Sequence, residues 1–316
     1  MSPAGGPSGG PGADPGAGLG AEELARLGEL AERAARAAGE LVLRGRAEHG
    51  GVTATKSSRT DVVTAMDTAS EELLRSLLLA ERPGDAVLGE EGGASSGAPA
   101  GGGATGLTWV LDPIDGTVNY VYGIPAYAVS VAVVAGPPEP PHWQPLAGCV
   151  HNPVTGETWT AVLGAGARLD GAPLSGPGAP PLAEALVGTG FGYTAQRRAE
   201  QAAVVADLLP RVRDVRRIGS AALDLCAVAS GRLDAFYERG LNPWDAAAGW
   251  LVAAEAGAVL VGLDGTAGRG ASRDMLVAAA PALADELAAA LTAASRSGGP
   301  PAEPADGSGG GPAEQR

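Results

Sequence analysis

An α+β fold, with helices and sheets stacked in layers, is what the sequence predicts. Short apolar segments of strand character are mixed with helical periodicities in no regular strand–helix alternation. Two successive strand segments, 148–152 and 157–163, flank Pro153-Val-Thr-Gly156 and read as a hairpin. The chain has 316 residues, enough for one large core or two closely packed subdomains.

Taken in order, residues 1–19 and about 294–316 are Gly/Pro/Ala/Ser tracts that cannot bury enough apolar surface to order, so the folded unit is expected over 20–293. Leu24, Leu27, Ala31 and Leu41 repeat at helical spacing and predict a first helix over 21–43. A polar loop, Lys56 to Asp61, leads to a short extended piece at Val62-Val63. Thr68-Ala-Ser-Glu71 has capping-box spacing ahead of Leu73, Leu74, Leu77 and Leu78, which places a helix start just after Asp67. Ala86-Val87-Leu88 is a buried-strand candidate ending at Gly89-Glu90-Glu91, and 93–106 is a Gly/Ala/Ser loop. Strands follow at 107–111 and 129–135, then the hairpin, a helix over 221–230 stopped by Gly231, and a strand over 233–238. A helix over 245–256 ends at Gly257, strands follow at 259–263 and 276–279, and a last helix begins after Pro281.

Composition removes several function classes. With 22 basic and 36 acidic residues the net charge is −14, a field that opposes binding to a phosphate backbone, so no nucleic-acid partner is expected. No secretory signal or membrane-spanning stretch is read, and two cysteines make no disulfide framework; both point to a cytoplasmic protein. Only three histidines occur: His49 and His142 lie in Gly- and Pro-rich loops, and His151 on the hairpin reads as structural. Cys226 and Arg232 have the Cys-x5-Arg spacing of cysteine phosphatases, but the cysteine is embedded in an Ala/Leu/Val helix pattern and reads as core.

The carboxylates carry the chemistry. Asp67, Glu90, Asp112, Asp115 and Asp245 stand at the ends of apolar segments rather than on polar helix faces. Such a set of hard oxygen donors suits Mg²⁺, with the Ile114 carbonyl as a neutral ligand between Asp112 and Asp115. Gly116-Thr117 then opens a helix whose free amides would receive a phosphate. Taken singly, Asp67 and Asp245 are better read as helix caps and Glu91 as part of a solvated turn, while Asp112 and Asp115 are read equally well as turn residues and as a metal pair.

Several ordered motifs resolve that ambiguity: Lys56-Ser-Ser-x-x-Asp61-x-Val-Thr-x-x-Asp67, Gly89-Glu90-Glu91, Trp109-x-x-Asp112-Pro-Ile-Asp115-Gly116-Thr117-x-Asn119, Gly219-Ser220-Ala221-Ala222 and Trp244-Asp245-x-Ala-Ala-Gly249. In this the chain resembles the inositol monophosphatase family, and bacterial inositol-1-monophosphatases in particular. The resemblance implies a layered α/β/α/β/α sandwich, Mg²⁺-dependent hydrolysis of a phosphate monoester, lithium sensitivity and a homodimer. It implies a first metal site from Glu90, Asp112 and the Ile114 carbonyl, a second from Asp112, Asp115 and Asp245, and a weaker third ion supported by Glu90. Thr117 and Asp67 match the dyad that activates the attacking water, and the amides of Gly116 and Thr117 match the phosphate cradle. Asp115, the Ala221 backbone, Glu238 and Asp245 match contacts to the inositol ring, and Lys56 a basic residue near the entrance.

Met66 before Asp67, and Asn242-Pro243 before Trp244, depart from the family pattern. Substrates of the wider superfamily therefore stand as alternatives: histidinol phosphate, fructose 1,6-bisphosphate and adenosine 3′,5′-bisphosphate, as does a regulator that keeps the fold. A haloacid-dehalogenase-like phosphatase also carries an Asp-x-x-Asp-Gly-Thr-like run, but its nucleophilic aspartate would fall at position 113, which is proline.

Overall fold

The computed structural model describes residues 19–49, 54–55, 62–63, 65–94, 104–138, 140, 142–263 and 275–297. Nearly all of both expected tails, together with Lys56, Asp61 and most of the 93–106 loop, lies outside the described residues.

The elements in chain order are α1 (Ala21–His49), β1 (Ala54–Thr55), β2 (Val62–Val63), α2 (Ala65–Glu81), β3 (Ala86–Gly89), β4 (Gly93–Ala94), β5 (Leu107–Asp115), α3 (Thr117–Tyr122), β6 (Ala128–Ala135), β7 (Gln144–His151), β8 (Thr158–Val162), β9 (Gly166–Leu169) and β10 (Ala172–Pro173). There follow β11 (Leu186–Thr189), α4 (Ala195–Leu208), β12 (Asp214–Arg216), α5 (Ala221–Ala229), β13 (Ala235–Glu238), α6 (Pro243–Glu255), β14 (Val259–Val261), β15 (Leu276–Ala279) and α7 (Pro281–Ser297). An eight-stranded sheet runs β10-β9-β8-β7-β6-β5-β3-β4, and a five-stranded sheet runs β12-β11-β13-β15-β14.

Successive strand residues point to opposite faces, and that alternation builds the layers. Trp109, Leu111, Val129, Val131 and Val133 pack with Leu27, Ala31, Leu74 and Leu78 of α1 and α2. Their neighbours Val110, Ala132, Val134 and Val150 face the other way, onto Leu225, Val228, Leu251 and Val252 of α5 and α6. Phe236 and Ala278 of the small sheet close α5 and α6 from the far side, while Val187, Tyr237 and Val277 face Leu208 of α4 and Leu283, Leu287 and Leu291 of α7. The order is therefore α1α2/large sheet/α5α6/small sheet/α4α7, the five-layered sandwich expected. A central-layer helix is apolar nearly all round, as eight of the nine buried residues of α5 are, Asp224 being the exception. Each fully buried Leu of α2 contributes about 1.5–3 kcal/mol.

Several boundaries differ from the sequence reading. β5 continues through Asp112-Pro113-Ile114 to Asp115 instead of ending at Leu111. α2 begins at Ala65, so Asp67 lies in its first turn and Glu71 is no capping-box partner. α6 begins at Pro243 with Asn242 as N-cap, and Asp245 is its third residue. α1 runs on to His49, where the Gly-rich sequence predicts a loop, and α7 runs to Ser297, past the expected limit of the folded unit at 293. The hairpin is present as β7 and β8, with His151 opposite Thr158 and its Nδ1 2.8 Å from the Thr158 hydroxyl.

Candidate metal centre and active site

Asp112 and Asp115 meet because β5 contains a bulge. In an unbroken strand, residues three apart face opposite sides of the sheet. Here Asp112 pairs with Ser130 of β6 and Asp115 with Ala128, so three steps along β5 match two along β6. The extra residue turns an odd spacing into an even one, and both carboxylates reach the same pocket. Pro113 fits inside the bulge because it has no amide to offer a ladder. The kink is fastened locally: Ile114 N donates to Asp112 Oδ1 (3.1 Å), Thr117 Oγ1 donates to the Ile114 carbonyl (3.0 Å), and Ser70 Oγ donates to the Pro113 carbonyl (3.3 Å).

The other walls come from neighbouring elements. β3 pairs in parallel with β5, Gly89 beside Leu111, and Glu90 N donates to the Leu111 carbonyl, which sets Glu90 next to Asp112. Asp245 enters from the first turn of α6, where it also accepts from Asn242 N (2.6 Å). Its capping role and its place in the cluster are thus simultaneous. Carboxylate oxygens of Asp112, Asp115 and Asp245 lie within 4.8 Å of one another. Asp67, 1% exposed, sits close enough to add to the negative field on Asp112.

Three helix N-termini converge here, those of α3, α5 and α6. Asp115 Oδ2 accepts from the Ser220 hydroxyl (2.5 Å) and Ala222 N (2.7 Å), with the Ala221 amide also directed at its carboxylate. α3 is only six residues long, so what it offers is the turn's own amides rather than the dipole of a long helix. Gly116 takes φ +94°, and a Cβ there would lie 3.0 Å from the Ala126 carbonyl and 3.1 Å from that of Gly219. Asn119 ties the two loops by donating to the carbonyls of Ala126 (2.7 Å) and Ile218 (2.9 Å).

The electrostatics are those of a site built for cations. Burial, followed by repulsion from Glu90, Asp115, Asp245 and Asp67, holds Asp112 well above the usual carboxylate range. Burial, then Asp115 and Glu90, does the same to Asp245. Asp115 is pushed to about 6 by burial despite its hydrogen bonds from α5, and Glu238 to about 7, again mainly by burial. Two other buried acids have cationic partners: Asp85 pairs with Arg82 (2.9 Å) and Glu71 with Arg75 (2.8 Å). Asp112, Asp115 and Asp245 make no ion pair with any described side chain. An all-oxygen donor set of this kind, with no cysteine or histidine in it, fits a hard divalent ion.

Of the residues singled out in the sequence, Asp67, Glu90, Asp112, Ile114, Asp115, Gly116, Thr117, Ala221 and Asp245 fall in or beside this cluster, and Glu238 borders it at the end of β13. The Thr117 hydroxyl is held by Ile114 rather than by an aspartate in this state. Cys226 is fully buried in α5, and burial drives its thiol far up, so no thiolate is available. Four further residues in or near the cluster carry no site role in the sequence reading. Ser220 and Ala222 sat inside a quoted motif without a role. Glu71 accepts from the amides of Glu91 (2.7 Å) and Gly92 (2.9 Å) and so shapes the Glu90 turn; its spacing suggested a cap instead. Asp224 is a buried carboxyl in α5 that helical apolar patterning concealed.

Comparison with known proteins points the same way. The profile of the inositol monophosphatase family matches residues 23–296. The inositol-1-monophosphatase SuhB of Mycobacterium tuberculosis is 49% identical over 283 residues, covering 85% of this chain and 94% of that protein. The solved structure of Mycobacterium tuberculosis SuhB superposes with a TM-score of 0.69 at 47% identity, covering 85% of this chain and 97% of that one. A relative from Pasteurella multocida named Nus factor SuhB is 37% identical over 265 residues, covering 82% of this chain and 92% of that protein. No helix among the described residues is long and apolar enough to cross a membrane.

Proposed function

The chain belongs to the inositol monophosphatase family, and from that premise we propose that it is a Mg²⁺-dependent phosphomonoesterase acting on inositol 1-phosphate, with water as the nucleophile. The observation that carries the proposal is the bulge that turns Asp112 and Asp115 into one pocket with Asp245, beside Glu90 and the Gly116-Thr117 turn. Glu90, Asp112 and the Ile114 carbonyl would hold one ion, and Asp112, Asp115 and Asp245 a second, with Glu90 supporting a weaker third. Bound divalent ions supply Lewis acidity toward the ester phosphate and lower the pKa of water.

The chain's own residues do the rest. The amides of Gly116 and Thr117 bind phosphate oxygens at a turn where only glycine avoids the neighbouring carbonyls. The Thr117 hydroxyl, steered by Ile114, and Asp67 orient the water and take its proton. Asp115, Asp245, Glu238 and the Ala221 backbone face the polyol, whose hydroxyls need acceptors. Pro113 excludes an aspartyl-phosphate route, because the position that would supply the nucleophile has no carboxylate. A homodimer and lithium inhibition come into this reading from the family, and a reducing cytoplasm suits two buried free cysteines. A role outside catalysis has the Nus factor name of one group of relatives in its favour; the intact carboxylate cluster favours the enzyme.

The test is a kcat/KM comparison with Mg²⁺ across inositol 1-phosphate, histidinol phosphate, fructose 1,6-bisphosphate and adenosine 3′,5′-bisphosphate. Preference for the inositol ester is expected. Preference for another ester overturns the substrate, and absence of Mg²⁺-dependent release from all four overturns the reaction.

A further inference from the structure

Two bare positions on one strand mark a carboxyl that the proposed reaction does not use. Gly188 lies in β11 and Gly190 just past its end, so the two face the same side of the strand. A Cβ at 188 would lie 3.1 Å from Asp224 Oδ1 and 2.7 Å from Leu233 Cδ1; one at 190 would collide with the Glu238 carboxylate. The glycines leave room for two acids side by side, Asp224 from α5 and Glu238 from β13. Asp224 is 1% exposed, and its Oδ1 is enclosed without a hydrogen-bond partner. A buried carboxyl oxygen left so costs about 1–3 kcal/mol, a penalty that an apolar side chain does not carry. Its environment is the cleft: the charges facing it are Glu238 from β13, Asp115 from β5 and Arg217 from the loop before α5.

We propose that Asp224 is a positioning residue for polyol recognition that acts through Glu238, the two carboxyls forming one hydroxyl-reading wall with Asp224 behind and Glu238 in front. The inference rests on the polyol-phosphate reading above. Burial, reinforced by Glu238 and Asp115, pushes Asp224 up to about 9, so at neutral pH it keeps its proton. Glu238, pushed only to about 7 and faced by Arg217 and Arg197, is the member that ionises. The wall then holds a donor and an acceptor in place of two like charges. The donor fixes the rotamer of the Glu238 carboxylate, which in turn accepts from the polyol.

The experiment measures the ratio of kcat/KM for inositol 1-phosphate to that for p-nitrophenyl phosphate, which has no polyol, in Mg²⁺-loaded full-length protein. Asp224→Leu is expected to lower that ratio by about tenfold, through KM for the inositol ester, and Asp224→Asn, whose amide still donates, to hold it within about threefold. Combined with Glu238→Gln, Asp224→Leu should add nothing further, as a residue acting through Glu238 requires. An unchanged ratio in Asp224→Leu, a low ratio in Asp224→Asn, or additive losses in the double variant overturns the proposal. Should Asp224→Leu fail to fold, Asp224→Ala is measured on the same terms. The parent reading fails separately: wild-type protein that does not favour the inositol ester overturns the polyol substrate before any Asp224 variant is measured.

Discussion

Asp112→Asn separates what the acid cluster does for catalysis from what it does to the fold. The amide is nearly isosteric and its oxygen can still accept from Ile114 N, so the bulge keeps its fastening. What disappears is a charge that burial and four neighbouring carboxylates oppose. Asp115 sets the scale: its rise from 3.8 to about 6 corresponds to about 3 kcal/mol of opposition to the ionised form. Relief at Asp112 raises the metal-free melting temperature, by about 2–4 °C for each kcal/mol of opposition removed in a chain of this size. Mg²⁺ then separates the two proteins. At a hundredfold excess over Kd it stabilises the wild type by about 2.7 kcal/mol, or about 5–10 °C, and the variant, lacking the shared ligand, gains little. Phosphate release falls by about a thousandfold or more, the equivalent of about 4 kcal/mol of transition-state stabilisation. The assay is thermal melting with Mg²⁺ or with EDTA at pH 8, beside phosphate release. A variant that melts lower without metal, or that keeps both its Mg²⁺-dependent shift and its turnover, refutes the reasoning.

The same electrostatics set a pH dependence. Asp115, Glu238 and Asp224 have native values of about 6, 7 and 9, against 3.8 or 4.5 as ordinary values. Between those limits the native state therefore binds more protons than the unfolded state, and metal-free stability falls as pH rises from about 5 to about 9. His151, held low by burial, works the other way near neutrality, but as one group against three. Urea midpoints measured in EDTA across that range check the slope, and a flat or rising midpoint counts against it. Gly116→Ala must force φ +94° on a side chain whose Cβ lies 3.0 Å from a carbonyl. A loss of about 1–3 kcal/mol in stability is expected, together with a fall in kcat visible in phosphate release. Cys226→Ala, by contrast, should keep turnover within about twofold while costing about 1 kcal/mol of packing, and iodoacetamide should leave the native enzyme active.

The sequence disclosed elements that carry their own punctuation or periodicity. The β7–β8 hairpin was marked by Pro153 and Gly156, and α5 by its stop at Gly231. The α5 and α6 patterns looked apolar throughout because both helices are sandwiched between sheets, where no polar face is required. In contrast, α4 buries only Leu208 among its described residues, so its stripe is too thin to give a period. The path of β5 was hidden for a different reason. Pro113 signals the end of a strand in sequence terms, and a bulge that accommodates it is fixed by pairing with β6, a tertiary fact. Site residues supplied by motif were therefore legible while their geometry was not. Asp112 and Asp115 could be named as a pair, but the reason they share a face lies in a register that no local pattern encodes. Asp224 and Glu71 were missed because each is a carboxylate in a helical context whose purpose depends on what another segment brings to it.

That dependence also explains how such a cluster survives in a folded chain. A protein interior can hold an acid by giving it a cation, as Arg82 does for Asp85, or by giving it donors, as the α5 amides and Ser220 do for Asp115. Among the described residues Asp112 receives one amide, that of Ile114, and is faced by other carboxylates, so neither remedy is complete there. The rest of the fold compensates with rigidity. Leu111 immediately before Asp112 and Ile114 within the bulge are packed against α1 and α2, and the β5–β6 ladder resumes at Asp115. The carboxylates cannot separate to relieve their repulsion without breaking that packing. Charge held at fixed positions in a poorly solvating environment is a site whose stability is completed by what it binds. The cost measured without metal and the affinity measured with it are then two readings of one preorganised geometry, and a variant that relaxes the first must weaken the second.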